Sequence, residues 1–316
     1  MTYCLIASLL AITALILRAS KARAYELEDT RPSVVLAAFG TLRLEALKDL
    51  ENVEGRVKAA FPEYDVHMAF TCNKIRKIWR QRAAEAPVGG PDPIALKYSK
   101  VKNPLSVLAD LQETGAGKVL VQSLHVTDGE EYQNLANQIE ALSKVEALQP
   151  SLRPFQDLRL GPPALGLGDG DPAYLDRAAE ALKSWIREAS EAEAALVLMG
   201  HGNEKLKQAV FNKLEERLRR DYPRIYLGTV EAEPGAEEIA EAVAGHKPPS
   251  GRVIMAPLMV VAGDHARKDM AGEEPESWKN VLSAKGLKVE IKLVGLGSLD
   301  GWADIYVESL KKLAAG

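Results

Sequence analysis

Two histidines and one glutamate follow predicted strands in the second half of the chain. His201 stands between two glycines, Glu231 ends the run Gly-Thr-Val-Glu, and His265 ends the run Ala-Gly-Asp-His. Ligands of open α/β sheets bind beyond the carboxyl ends of the strands, so these side chains are expected to converge. Two imidazoles and a carboxylate that leave coordination positions open are typical of a catalytic transition-metal site. The sequence therefore predicts a metal site at this triad (His201, Glu231 and His265).

Each member of the triad also has a plain structural interpretation. His201 alone would fill a turn, Glu231 would be a solvated acid with Glu233 as its rival, and His265 would be a solvated loop residue. The glycines around His201 permit a tight turn that presents the ring, and Asn203 is a good N-cap for the next predicted helix. A helix N-terminus disfavours the imidazolium form, so His201 would stay able to bind metal or accept a proton. Only the combination of the three carries the prediction.

Three other polar residues, His125, Glu130 and Glu131, are candidates for lining a substrate cleft. His125 lies near the end of a predicted strand, and the two glutamates follow shortly after it. The alternative for His125 is a purely structural role. The remaining histidines are expected to be structural, with His67 half-buried inside a strand and His246 exposed in a loop. Asp264 and Asp269 belong to an acidic run that is expected to be solvated, although it would attract divalent cations.

The elements that must position these residues alternate between strand and helix. Such alternation predicts parallel sheets with helices on both faces, hence a doubly wound α/β fold. The predicted strands are 33–39, 64–70, 118–126, 194–199, 224–230, 252–261 and 289–294. The predicted helices are 44–60, 73–85, 130–144, 204–220, 236–244 and a closing helix at 302–313.

The two halves of the chain can be aligned with each other. Phe39, Thr71 and Glu131 then stand where the second half has His201, Glu231 and His265. The first half therefore lacks a metal triad, and one active site per chain is expected. We expect similar domains at 25–160 and 161–316 with a cleft between them and a Pro/Gly-rich linker at 149–172. The Pro/Gly-rich stretch 88–103 has no counterpart in the second half.

Composition excludes several classes of protein. The 316 residues include 40 basic and 44 acidic side chains, for a net charge of −4, so a nucleic-acid binder built on a general basic surface is excluded. The only two cysteines, Cys4 and Cys72, cannot form a disulfide scaffold or a four-cysteine zinc site. No phosphate-binding loop or Gly-x-Ser-x-Gly elbow is found, so no nucleotide cofactor is expected.

The first 24 residues resemble a secretory signal peptide. An apolar run at 4–17 is followed by Ala22-Arg23-Ala24, the form of a cleavage site. The run is short for a membrane span, which needs about 20 residues. We therefore predict a cleaved signal, no stable membrane span in the mature chain, and a periplasmic rather than cytoplasmic protein. An uncleaved anchor and a cytosolic leader are the alternatives.

Three segments of the second half carry a family resemblance: Gly-His-Gly at 200–202, Gly-Thr-Val-Glu at 228–231, and Pro-Leu-Met-Val-Val-Ala-Gly-Asp-His at 257–265. They resemble the anaerobic sirohydrochlorin cobaltochelatases of the CbiK type, which belong to the class II chelatases. Gln-Ser-Leu-His at 122–125 and Gly-Glu-Glu-Tyr at 129–132 are similar to that family's first-half signature. The likeness runs from about Val34 to the C-terminus, and the segment 257–265 is its most specific part.

This resemblance implies two α/β domains around a cleft and an activity that needs no ATP. It implies His201, Glu231 and His265 as metal ligands, with sirohydrochlorin as the tetrapyrrole substrate. Co²⁺ would be inserted on the way to cobalamin, and Fe²⁺ insertion would give sirohaem. Most relatives are cytosolic, so an export signal departs from the family pattern.

The expected mechanism combines metal binding with proton removal. Histidine would act as the base for the pyrrole N–H groups, and Glu231 would take a proton or hold the metal. The alternatives are a periplasmic carrier of metal, haem or another tetrapyrrole without turnover, a ferrochelatase, and a plain periplasmic binding protein. A monomer and a small homo-oligomer are both compatible with the sequence.

Overall fold

The computed structural model describes residues 31–85, 92–149, 153–202 and 209–316. The predicted signal peptide, the predicted N-cap Asn203 and the start of the helix predicted at 204–220 lie outside these residues. No helix in the part of the chain that is described has both the length and the apolar character to cross a membrane.

The first half forms a parallel sheet of four strands in the order β2-β1-β3-β4. Its strands are β1 Ser33–Ala38, β2 Asp65–Phe70, β3 Lys118–Ser123 and β4 Asp157–Gly161. Its helices are α1 Leu44–Ala60, α2 Asn73–Ala84, α3 Pro93–Ser99, α4 Pro104–Glu113 and α5 Glu130–Ser143.

The second half repeats this sheet in the order β6-β5-β7-β8, again with all pairs parallel. Its strands are β5 Ala195–Gly200, β6 Ile225–Thr229, β7 Arg252–Pro257 and β8 Lys288–Ile291. Its described helices are α6 Pro172–Ala181, α7 Lys183–Glu191, α8 Ala209–Arg219, α9 Ala236–Gly245, α10 Trp278–Ala284 and α11 Asp300–Ala315. The matching strand orders confirm the prediction of two similar doubly wound α/β units.

The central strands are buried on both faces, which explains their continuous apolar runs. Successive side chains of β1 alternate between two cores: Leu36 enters a core shared by the two halves, whereas Val35 enters one between the first sheet and its outer helices. Leu196 of β5 and Trp302 of α11 belong to the same shared core as Leu36. The two sheets are therefore connected by packing as well as by the chain.

The interpretation of 149–172 as a linker is wrong for residues 157–161, because they form β4. This strand pairs with β3 and is the edge of the first sheet. Its sequence, Asp-Leu-Arg-Leu-Gly, mixes polar and apolar residues because four of its five positions are only half-buried. The prolines and glycines on either side of β4 therefore led to the prediction of a linker where there is a strand.

Likewise, the Pro/Gly-rich stretch 88–103 contains helix α3. Asp92 caps this helix by accepting a hydrogen bond from the Ile94 N–H, and Pro93 occupies its first turn. Proline suits that position because its missing N–H would be unpaired there in any case. Helices α4, α6, α7 and α10 were also not predicted from the sequence.

A row of polar residues on one face of α1 joins the first half to the C-terminal segment. Asn52 donates to the Gly297 carbonyl at 2.9 Å, and both Nε and Nη2 of Arg56 bond Asp304 on α11. Helix α11 also packs against α1, β3 and β4, as well as α6. The closing helix therefore bridges the two halves.

Candidate metal centre

The triad converges at the carboxyl end of the second sheet. His201 directly follows β5, Glu231 follows β6 by two residues, and His265 lies at the start of the helical turn that comes after β7. Since β6 and β7 flank β5 in the sheet, their carboxyl ends bring the three side chains to one place. One ligand atom from each residue lies within 4.8 Å of the others. The predicted site residues are thus brought together, and a single ion could be bound by all three.

The triad is accessible from solvent. The rings of His201 and His265 meet edge to face, with centroids 4.7 Å apart and planes at 87°. Nδ1 of His201 lies 3.5 Å from Oε2 of Glu231. About half of each of the His201 and Glu231 side chains is exposed, at 49% and 48%. This exposure leaves open the coordination positions that a catalytic metal site needs.

Backbone contacts fix the positions of His201 and Glu231. The Glu231 N–H donates to the His201 carbonyl at 2.9 Å, which ties the ends of β5 and β6 together. Gly202 has a φ of +83°, and a Cβ there would lie 2.8 Å from Cβ of Thr229. Only glycine combines that backbone conformation with so close an approach. Gly202 therefore explains how two strand ends can lie near enough for their ligands to share an ion.

His265 has a carboxylate partner in Asp269, which was expected to be only a solvated acid. Oδ2 of Asp269 lies 2.7 Å from Nδ1 of His265. The two residues are four apart and belong to a π-helical turn at Ala266–Met270 and the residue before it. Their spacing was a usable signal, because residues four apart face each other on a helix.

The first half contributes charged residues to the edge of this site. Nε of Arg43, just before α1, lies 2.5 Å from Asp264, and Glu45 on α1 lies 3.3 Å from Arg267. These two ion pairs flank His265 in the sequence and cross between the halves. They were not predicted, because nothing local in the sequence relates residues more than 200 positions apart.

Asp49 of α1 is buried against the same loop, with only 1% of its surface exposed. Its carboxylate accepts a hydrogen bond from the Ala262 N–H at 3.0 Å and another from the Ser298 hydroxyl. Burial raises the pKa of Asp49, and the hydrogen bonds from Ser298 and Ala262 partly oppose that effect. A Cβ on Gly295 would lie 2.3 Å from Oδ2 of Asp49, so this glycine makes room for the carboxylate. Asp49 thus joins α1 to the loop that carries His265.

His125 and Glu131 lie in the first half, outside the converging triad. Nδ1 of His125 is hydrogen-bonded to Oγ of Ser123 at 2.8 Å, and its Nε2 is buried with no partner among the described residues. Glu131 accepts a hydrogen bond from Thr71 at 3.1 Å. Thr71 aligns with Glu231 and Glu131 aligns with His265, so these first-half counterparts are also in contact. Glu130 is exposed in the first turn of α5. A role for His125, Glu130 and Glu131 in a substrate cleft stays a prediction.

The other two histidines have the surroundings expected of structural residues. His67 lies half-buried on the edge strand β2, and burial lowers its pKa. His246 is exposed at the end of α9.

Acid is expected to destabilise the protein through His125. Burial lowers the pKa of His125 to about 4, against about 6.5 in an unfolded chain. The stabilisation is therefore present above pH 6.5 and is lost as the pH falls from 6.5 towards 4, amounting to about 2 kcal/mol by pH 5. Between pH 7 and pH 5, the free energy of unfolding should fall by about 2 kcal/mol more for wild type than for His125→Gln. Urea unfolding at both pH values measures this difference, and His246→Gln, at an exposed site, should behave as wild type. Equal losses in wild type and His125→Gln would contradict the prediction.

Comparison with solved structures supports the fold. The sirohydrochlorin chelatase SirB from Bacillus subtilis subspecies spizizenii, solved in complex with cobalt, matches with a TM-score of 0.54. The match covers 90% of this chain and 96% of that one, at 12% sequence identity. At this identity the similarity bears on the fold alone.

Comparison with known sequences identifies the family. The sequence profile of the cobalt chelatase (CbiK) family matches residues 32–315. A sirohydrochlorin cobaltochelatase, CbiKC, from Nitratidesulfovibrio vulgaris is 32% identical over 89% of this chain and 90% of its own length. A sirohydrochlorin cobaltochelatase from Salmonella typhimurium is 28% identical over 89% of this chain and 95% of its own. The chain therefore belongs to the cobalt chelatase (CbiK) family.

Proposed function

We propose that this protein inserts Co²⁺ into sirohydrochlorin without ATP. The observation that carries the proposal is the convergence of one ligand atom each from His201, Glu231 and His265 within 4.8 Å, at the solvent-accessible carboxyl end of the second sheet. Both curated relatives described above are named for this activity. The triad would bind the ion on one side and leave its other positions open for the macrocycle.

The reaction exchanges ligands and removes two protons. Each of two pyrrole N–H groups loses a proton while its electron pair forms a bond to the metal. As the four ring nitrogens take the ion, the bonds from protein to metal break, and the released imidazole and carboxylate lone pairs become free to accept protons. His201 and Glu231 suit this step because they lie side by side, with Nδ1 of His201 3.5 Å from Oε2 of Glu231. Nδ1 of His201 donates to the Gly202 carbonyl, so the lone pair that can bind metal or accept a proton is on Nε2.

Mixed imidazole and carboxylate ligation suits both Co²⁺ and Fe²⁺. The names of the relatives favour Co²⁺, and we include Fe²⁺ as a second substrate. A carrier without turnover and a ferrochelatase acting on protoporphyrin are the competing functions, because the same triad would serve both. We place the protein in the periplasm on the strength of the predicted signal peptide at residues 1–24.

An anaerobic insertion assay tests this function. We expect the visible spectrum of sirohydrochlorin to change to that of the metallated product faster with the protein and Co²⁺ than with Co²⁺ alone. His201→Ala should lose the acceleration, whereas His246→Ala, a histidine variant at an exposed site, should keep it. Protoporphyrin offered with Fe²⁺ separates the ferrochelatase function. Stoichiometric binding of Co²⁺ with insertion no faster than the protein-free rate would support the carrier and reject the enzyme.

A further inference from the structure

We propose that Asp269 is a positioning residue that makes His265 bind the metal through Nε2. This inference rests on the proposed function and adds a residue outside the triad. The Asp269 carboxylate and Nδ1 of His265 are 2.7 Å apart, well within hydrogen-bonding distance. Among the described residues, the Asp269 carboxylate has no other hydrogen-bond or ion-pair partner.

The hydrogen bond determines which nitrogen of His265 faces the ion. A carboxylate only accepts hydrogen bonds, so Nδ1 must carry the proton in this pair. The lone pair of a neutral imidazole is then on Nε2, which is the atom left for the metal. Histidine ligands commonly donate their second nitrogen to a carboxylate in this way, which fixes the ring and makes it a stronger ligand.

The backbone conformation after His265 places Asp269 beside the His265 ring. The π-helical turn at Ala266–Met270 is a rare element that is often found at functional sites. After it, the Gly272 N–H donates to the Lys268 carbonyl at 3.0 Å. A Cβ on Gly272 would lie 2.2 Å from that carbonyl oxygen, so only glycine fits where the turn ends.

Two arginines near this turn pair with other carboxylates. Arg267, on the same turn, pairs with Glu45 of the first half, and Arg43 pairs with Asp264. The Asp269 carboxylate is thus left to His265. It is 44% exposed, so its charge faces partly into solvent rather than into a packed core.

The two histidines of the triad therefore have hydrogen-bond partners of different strength. Nδ1 of His201 has a backbone carbonyl as its nearest partner, the Gly202 oxygen at 2.9 Å, whereas His265 has an ionised carboxylate. Hydrogen bonds to charged groups are about twice as strong as those between neutral groups. We infer that His265 retains the ion longest, while His201 and Glu231 are released to accept the pyrrole protons.

Metal-free protein and Co²⁺ alone test this proposal without any macrocycle. Long-range ¹⁵N–¹H NMR at pH 8 reports which nitrogen of His265 carries the proton, with His265→Gln used to assign the signals. We expect the Nδ1–H form in wild type and in Asp269→Asn, whose side-chain oxygen can still accept the bond. We expect a substantial Nε2–H population in Asp269→Leu. Calorimetric titration should show Co²⁺ affinity reduced about 10- to 100-fold in Asp269→Leu.

Asp269→Asn should bind Co²⁺ more weakly than wild type but more tightly than Asp269→Leu, because it keeps the hydrogen bond and loses the charge. Glu276→Gln removes the same charge from an exposed side chain seven residues later in the chain and should bind as wild type. An unchanged Nδ1–H tautomer together with unchanged Co²⁺ affinity in Asp269→Leu would overturn the proposal. So would a loss of affinity of the same size in Glu276→Gln. Neither readout depends on turnover, so failure of this inference is distinct from failure of the proposed insertion activity.

Discussion

His265→Ala and Glu231→Gln are expected to reduce insertion by different routes. In the proposed mechanism His265 serves only as a metal ligand, so its loss should raise the KM for Co²⁺ and leave much of kcat at saturating metal. Four-ligand zinc sites bind with about 10–16 kcal/mol, which is roughly 2.5–4 kcal/mol per ligand or about 10²- to 10³-fold in affinity. We expect an increase in KM of that size for His265→Ala.

Glu231 is both a ligand and a proton acceptor in the proposed mechanism. Glutamine keeps a ligand oxygen and the shape of the side chain but accepts protons far less readily. General acid–base groups contribute typically 10²- to 10⁴-fold to rate, so kcat of Glu231→Gln should fall by about that factor and stay low at saturating Co²⁺.

Steady-state rates measured over a wide range of Co²⁺ concentrations separate the two routes. The neighbouring acid provides a matched control, because Glu233 lies two residues from Glu231 and outside the converging triad. Glu233→Gln should leave both KM and kcat close to wild type. If high Co²⁺ restored Glu231→Gln to the wild-type rate, Glu231 would be a ligand only, and the proton would have to go to His201 or to solvent.

The triad was predictable because each member follows a buried parallel strand. The sequence marks the strand ends by an apolar run that stops at glycine or a polar residue, as at Gly200-His201-Gly202. Parallel pairing then places all carboxyl ends at one edge, so convergence of His201, Glu231 and His265 follows from strand order alone. Helix α1 was predicted over its full length for a similar reason, since Leu47, Val53 and Val57 recur near helical spacing.

The sequence could not show what depends on contacts between distant segments. Strand β4 has only half-buried residues before Gly161, and its identity comes from pairing with β3 rather than from its own pattern. In the sequence, Asp49 looks like one more acid on an amphipathic helix. In the fold it is buried, and Ala262 and Ser298, more than 200 residues away, donate hydrogen bonds to its carboxylate. Only the folded chain shows these partners.

Asp49→Ala is expected to destabilise the protein by about 3 kcal/mol. The substitution leaves the Ala262 N–H and the Ser298 hydroxyl without their acceptor, and each buried unsatisfied donor costs about 1–3 kcal/mol. Relief of the burial penalty on the carboxylate offsets part of that cost, because burial raises the pKa of Asp49. Calorimetry at pH 7 should show a melting temperature lower by roughly 6–10 °C. Asp304→Asn, which weakens a partly exposed ion pair on the same interface, should cost less than about 1 kcal/mol.

The stability difference between wild type and an Asp49 variant should also change with pH in one direction, which simple loss of contacts would not produce. A carboxyl group with a raised pKa in the folded state contributes stability that is present below its unfolded pKa of about 3.9 and is lost as the pH rises through the folded value. Asp49→Asn lacks this titration, so its stability deficit relative to wild type should be largest at acidic pH and narrower at pH 7. A deficit that widened with increasing pH would mean that Asp49 stabilises the fold mainly as a charged group, contrary to the pKa shift.

Asp49 also connects stability to the metal site, since Ala262 lies three residues before His265. Loosening this loop should reduce Co²⁺ affinity in the folded protein as well as the free energy of unfolding. Leu218→Ala provides a control of similar destabilisation, because Leu218 is fully buried near the end of α8. That end of α8 contacts the start of β6, where Arg219 donates to the Ile225 carbonyl, whereas Glu231 follows the other end of β6. We expect Co²⁺ titration below the unfolding transition to show weaker binding for Asp49→Ala and unchanged binding for Leu218→Ala. Equal affinities in the two variants would mean that the triad keeps its geometry without the buried carboxylate, and that Asp49 serves the fold alone.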